Sequence, residues 1–189
     1  MTPGSTRADP RFAELISRYE KWRRLYAAAG KAVPDEPVQE NGRLNFRDGY
    51  PNAGWTAYII QLKDSGYEVL RASTERRNEP AESQLAYFSR LEDAGKLIIW
   101  YMGEGLRMDC WLTPVTRMWQ AEGLDPRVQK VQVSDQIARY SLKADPGVYF
   151  EAYSGGIKPE NHLLPLSYDD LDSVLLEGMP ESVTSADPQ

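Results

Sequence analysis

Cysteine and histidine occur once each in this chain, as Cys110 and His162. One cysteine excludes an intramolecular disulfide, so nothing here marks an oxidising compartment. Cys110 sits in Met108-Asp109-Cys110-Trp111-Leu112, a strand-like run, and reads as a small buried apolar residue. One histidine excludes a histidine metal cluster, and no Ser-His-Asp or Cys-His pattern surrounds it. His162 falls near a turn, in Pro159-Glu160-Asn161-His162-Leu163, and reads as satisfied or solvent-facing. Basic residues are in deficit: 22 Lys and Arg stand against 28 Asp and Glu, a formal charge of −6. That balance argues against nucleic acid and against an anionic membrane surface as partners. No apolar run reaches the length of a membrane span, the longest being Leu97 to Met102. The opening residues MTPGSTRADP lack an apolar core, so no secretory leader is expected and the cytoplasm is the expected compartment.

Catalytic signatures are also missing. There is no Walker pattern and no nucleophile elbow. Gly103-Glu104-Gly105 follows a predicted helix, whereas a dinucleotide loop follows a strand, so it reads as a helix stop. Asp169, Asp170 and Asp172 fall in the first turn of another predicted helix, where acidic residues favour the positive end of the macrodipole. No catalytic residue, cofactor or metal ligand is therefore expected.

What remains is a normal globular composition, 41% hydrophobic and 26% charged, over 189 residues. Asp9-Pro10 reads as a helix start, and Phe12, Leu15, Ile16, Tyr19, Trp22, Leu25, Tyr26 and Ala29 repeat at three and four. A helix over 10–29 with Gly30 as its stop follows, with Trp22 in the core. Residues 30–54 hold three Pro, four Gly and three Asn and read as a long irregular segment, with an extended piece at Arg43–Arg47. Trp55–Leu62 and Tyr67–Ala72 read as a hairpin about Lys63-Asp64-Ser65-Gly66, with Ser83–Phe88 a third strand. Ser89-Arg90-Leu91-Glu92 has the pattern of a capping box opening a helix over 90–102, ended by Gly103. Leu106–Leu112 reads as a strand, and Thr113–Asp125 as a loop carrying Trp119. Val128–Val133, Ile137–Leu142 and Val148–Tyr153 alternate as a meander, and Ser167 caps a short helix over 168–177.

The expected fold class is α+β: a mainly antiparallel sheet, hairpin plus meander, packed by an N-terminal, a central and a short C-terminal helix. One domain over 10–180 lies between disordered residues 1–9 and a disordered tail, 181–189.

Two stretches carry a resemblance. FSRLEDAGKLIIWYMGEGLR, Phe88 to Arg107, resembles the helix of a group of polymorphic-toxin immunity proteins, in which an Asp-Ala pair, an aliphatic-aromatic run and a Gly precede a short strand ending in Arg. Here these are Asp93-Ala94, Leu97–Met102, Gly103 and Arg107. LSYDDLDSVLLEGMP, Leu166 to Pro180, is similar to the group's C-terminal signature. The group includes the immunity factor for tuberculosis necrotizing toxin, an NAD⁺ glycohydrolase. The resemblance covers roughly residues 55–180. It implies an antitoxin that binds a cognate toxin domain one-to-one and occludes its active site. It carries over no site residue. Read from the residues alone, the expected toxin-binding positions are Trp119, as a loop aromatic, and the Gly155-Gly156-Ile157-Lys158 turn, where backbone without side chains can enter a cleft. The alternative is a small ligand-binding or enzymatic domain with a site of Tyr, Arg and carboxylates.

Overall fold

Asp9 opens the first helix as its residue type predicts: its carboxylate accepts from the Arg11 N–H ahead of a 3-10 turn, Pro10–Phe12, that runs into α1, Ala13–Ala28. The computed structural model describes residues 9–74 and 80–185. Of the residues expected to be disordered, 1–8 lie outside that range, and Asp9 is ordered as the N-cap. Gly30, at φ 65°, ends α1 where the left-handed conformation is needed.

Among the described residues eight strands join one antiparallel sheet in the order β1-β2-β3-β4-β5-β8-β7-β6. The strands are β1 Val38–Glu40, β2 Arg43–Asp48, β3 Thr56–Lys63, β4 Gly66–Ser73, β5 Ala81–Phe88, β6 Val128–Gln132, β7 Ile137–Leu142 and β8 Tyr149–Tyr153. The expected hairpin is β3–β4 and the expected meander is β6–β7–β8. The segment over 30–54 is less irregular than its composition suggests, because β1 and β2 extend the sheet from it. The two halves meet at a narrow seam, where Tyr87 pairs with Glu151 and Phe88 with Phe150. Ser89 extends that seam: its N–H donates to the Tyr149 carbonyl and its Oγ accepts from the Tyr149 N–H. This spends the hydroxyl that the capping-box reading needed. The next helix instead has Arg90 as N-cap, with no side-chain cap bond.

That helix, α2, runs Leu91–Asp109, well past the expected stop at Gly103. Its glycines are close-approach positions rather than terminators. A Cβ at Gly95 would lie 2.0 Å from the Tyr168 hydroxyl, one at Gly103 2.5 Å from Leu175, and one at Gly105 2.5 Å from the Tyr26 hydroxyl. Tyr26 belongs to α1, and Tyr168 and Leu175 to α4, Tyr168–Leu176. The absent side chains thus let both neighbours lie directly on α2. The expected strand over 106–112 is the last turn of α2 and its exit. The expected loop over 113–125 contains a helix, α3, Val115–Glu122. The expected disordered tail also begins with structure: α5, Glu181–Thr184, buries Val183.

Two buried ionic centres fasten the helices. Asp93 and Lys96, both 0% exposed, sit 2.7 Å apart, and the Lys96 ammonium also donates to the Leu166 carbonyl. Asp172 accepts from the Trp22 indole at 2.8 Å and from Lys21 at 2.9 Å, joining α4 to α1. Asp170 completes a reciprocal capping box with Ser167, so the acidic run serves structure throughout.

Candidate protein-docking surface

Of the residues expected to bind a partner, Trp119 is not available. It lies in α3, is 6% exposed, and stacks on Trp100 at 5.7 Å and on His162 at 5.3 Å between ring centroids. The expectation failed because Thr113–Asp125 shows no long apolar period, whereas an eight-residue helix needs only Val115 and Trp119, four apart, to bury one face. His162 is buried and satisfied, its Nε2 lying 3.0 Å from the Gly123 carbonyl.

The Gly155-Gly156-Ile157-Lys158 turn stands at the surface with Gly155, Gly156 and Ile157 exposed. Its carbonyls are tied inward: Lys130 donates to both glycine oxygens, and the Tyr140 hydroxyl donates to Gly156. The Lys158 N–H donates back to that hydroxyl. Ile157, Tyr153, Val131 and Val133 are all exposed apolar side chains of this end of the sheet.

A second surface went unread. Trp111 is 95% exposed, the most exposed large apolar side chain among the described residues. Its backbone has φ 61°. The Trp111 N–H donates to the Met108 carbonyl and the Leu112 N–H to the Arg107 carbonyl. With Cys110 as C-cap, these bonds form a Schellman motif, and Trp111 occupies its left-handed position, where glycine is the favoured residue. A side chain there costs about 1–2 kcal/mol. The exposed ring recovers almost none of that within the chain.

The corner that presents Trp111 is rigidly held. Arg107, 6% exposed, donates from Nε to the Thr113 carbonyl and from Nη1 to the carbonyls of Leu175 and Glu177. The C-termini of α2 and α4 thereby converge on one guanidinium, which both the orphan carbonyls and the helix dipoles favour. The Arg that ends the resemblance motif is therefore a helical residue serving as a clamp. Exposed Met108 lies one turn before Trp111, and Asp109 and Glu177 add negative charge.

The fold has a counterpart. Rv3902c from M. tuberculosis superposes with a TM-score of 0.61 at 14% sequence identity, over 89% of this chain and 91% of that one. Identity that low establishes a shared α+β architecture and nothing about role. No family model and no curated protein matches the sequence. Among the described residues no group of three His, Cys, Asp or Glu side chains could hold a metal ion, and no helix is long and apolar enough to cross a membrane.

Trp111 thus stands exposed, in a left-handed conformation, on a clamped corner. Tryptophan is the residue type most enriched among interface anchors, and a pre-ordered backbone reduces the entropy lost on binding.

Proposed function

We propose that this chain is an immunity protein: it binds a cognate toxin domain one-to-one and occludes that domain's active site. The observation that carries the reading is Trp111, exposed and left-handed at the clamped exit of α2. Strain that the chain does not recover internally is the expected mark of a functional position. The resemblance of Phe88–Arg107 and Leu166–Pro180 to the immunity group supplies the kind of partner.

The charge is suited to the task. A cleft that cleaves NAD⁺ must accommodate a pyrophosphate, so cationic groups belong at its rim. A protein of net charge −6, with Asp109 and Glu177 beside its anchor, is attracted to such a rim and hindered from nucleic acid. Occlusion asks for no catalytic group in the inhibitor. In this reading the chain turns over nothing, holds no cofactor and acts in the cytoplasm of the toxin-producing cell.

The experiment looks beside this chain's gene for one encoding a toxin domain and titrates that domain with the chain, read as NAD⁺ consumption. Stoichiometric inhibition at a Kd near or below about 10 nM is expected. Full toxin activity in the presence of excess chain refutes the function. Inhibition that survives loss of the Trp111 ring leaves the function standing and refutes the interface.

A further inference from the structure

Between α1, the second half of α2 and strands β2 and β3 lies a cavity of about 320 Å³. Its walls are aromatic: Tyr19 and Tyr26 come from α1, Tyr101 from α2, Phe46 and Tyr58 from the sheet. Two of the phenols are committed. Tyr19 donates to the Asp35 carbonyl at 3.2 Å and Tyr26 to the Met102 carbonyl at 2.9 Å. Tyr58 and Tyr101 stack at 4.6 Å, nearly parallel, and their hydroxyls have no hydrogen-bond partner among the described residues. Tyr19 packs against Phe46 at 4.7 Å and Tyr101 also stacks on Trp100 at 5.2 Å between ring centroids, and burial raises the pKa of all four phenols, which are uncharged near neutral pH.

The charged groups of the wall do not balance. Asp48 and Glu104 both line it, against one cation, Arg47. Arg47 is already engaged: it pairs with Glu40 at 2.8 Å and lies over the Tyr50 ring at 4.6 Å. Glu104 is 7% exposed. Its Oε1 accepts from the Thr116 N–H at the start of α3, and no Lys or Arg of the described residues pairs with the carboxylate. A carboxylate of a mostly buried residue, held by one N–H and by no cation, favours a ligand that brings positive charge. An anion would meet Glu104 and Asp48 with no free positive partner. A neutral apolar ligand would leave the charge uncompensated.

We propose that this cavity is a binding site for a small organic cation of the quaternary ammonium class, its methyl groups against the tyrosine and phenylalanine rings and its charge set against Glu104. Aromatic walls attract a cation through their quadrupoles, and the attraction is stronger where water is displaced. The volume admits a ligand of choline's size with space left over for water. This site is separate from the toxin-binding reading and stands or falls without it.

The test uses the full chain and two probes of equal shape: choline, and 3,3-dimethylbutan-1-ol, in which carbon replaces the nitrogen and the charge is gone. Tyrosine ring resonances and calorimetry report binding. Choline should saturate with a Kd of about 1 mM or below, and the neutral probe should bind at least tenfold more weakly, roughly the fold-change expected of a partly desolvated cation–π and charge contribution. Glu104→Gln keeps an acceptor for the Thr116 N–H and should weaken choline by about tenfold while leaving the neutral probe unchanged. Equal binding of the two probes to the wild type would show a merely apolar cavity and overturn the proposal. So would choline binding insensitive to Glu104→Gln, or no ring shifts up to about 50 mM choline. If Glu104→Gln fails to fold, the two-probe comparison on the unaltered chain decides the matter alone.

Discussion

Replacing Trp111 with glycine should make the free protein more stable and its complex weaker. The left-handed backbone at φ 61° costs a residue with a Cβ about 1–2 kcal/mol. Glycine removes that cost but loses about 0.5–1 kcal/mol through the greater freedom of its unfolded chain. The ring is 95% exposed, so its removal sacrifices almost no buried surface in the free protein. The net gain is between about 0 and 1.5 kcal/mol, centred on about 0.75. At about 2–4 °C per kcal/mol for a chain of this size, that central value should raise Tm by roughly 1.5–3 °C. In the complex the ring is an anchor, and losing it should cost about 2–4 kcal/mol, roughly 30- to 1,000-fold in Kd. Differential scanning calorimetry gives the first quantity and titration of the toxin domain the second. A fall in Tm would show that the ring packs against its own chain and would remove the strain argument. A rise in Tm with unchanged affinity would remove Trp111 from the interface.

The remaining expectations concern the scaffold. Asp172→Ala should cost about 2–4 kcal/mol, because it strands the buried Trp22 indole N–H and removes the carboxylate that Arg18 and Lys21 share. Asp172→Asn keeps an acceptor and should cost about half as much; equal losses in urea melts would mean that the indole bond contributes nothing. Trp119→Ala should lower stability by about 3–5 kcal/mol while folded protein keeps its affinity for the toxin, since the ring is sandwiched between Trp100 and His162. Hydrogen bonds from the Arg127 side chain hold the Asp125 carboxyl below the ordinary carboxylate range, aided by the Arg127 N–H and by nearby His162. A lowered folded pKa contributes stability above the unfolded value of about 4 and loses it as pH falls through the folded value. Arg127→Ala should therefore destabilise near neutrality, with the difference shrinking as pH falls through the carboxyl's lowered folded value; a difference that stays constant with pH would refute the assignment.

Local periodicity made much of this fold legible. The three-four spacing from Phe12 to Ala29 marks α1 and alternation marks the β6–β8 meander, because each of those elements buries one face and its own residues record which; β3 and β4, marked by aromatic and β-branched residues about a turn, bury side chains on both faces. The failures share a physical cause. Gly103 and Gly105 look like stops because glycine is a poor helix former, yet here they admit Leu175 and Tyr26, residues about 70 and 80 positions away in the chain, to the surface of α2. Ser89 looks like a cap because its hydroxyl's true partner, Tyr149, is brought close only by the seam of the sheet.

The candidate sites divide in the same way. Composition by itself determined a protein with one histidine, one cysteine and a charge of −6, and so the classes of chemistry and partner to set aside. The tertiary structure decided which tryptophan is free. Trp119 and Trp111 are eight residues apart and chemically identical, but one is covered by Trp100 and His162 while the other is turned outward by the left-handed exit of α2 that Arg107 holds in place. Exposure is a property of what packs around a side chain, and long-range packing leaves no local period to read.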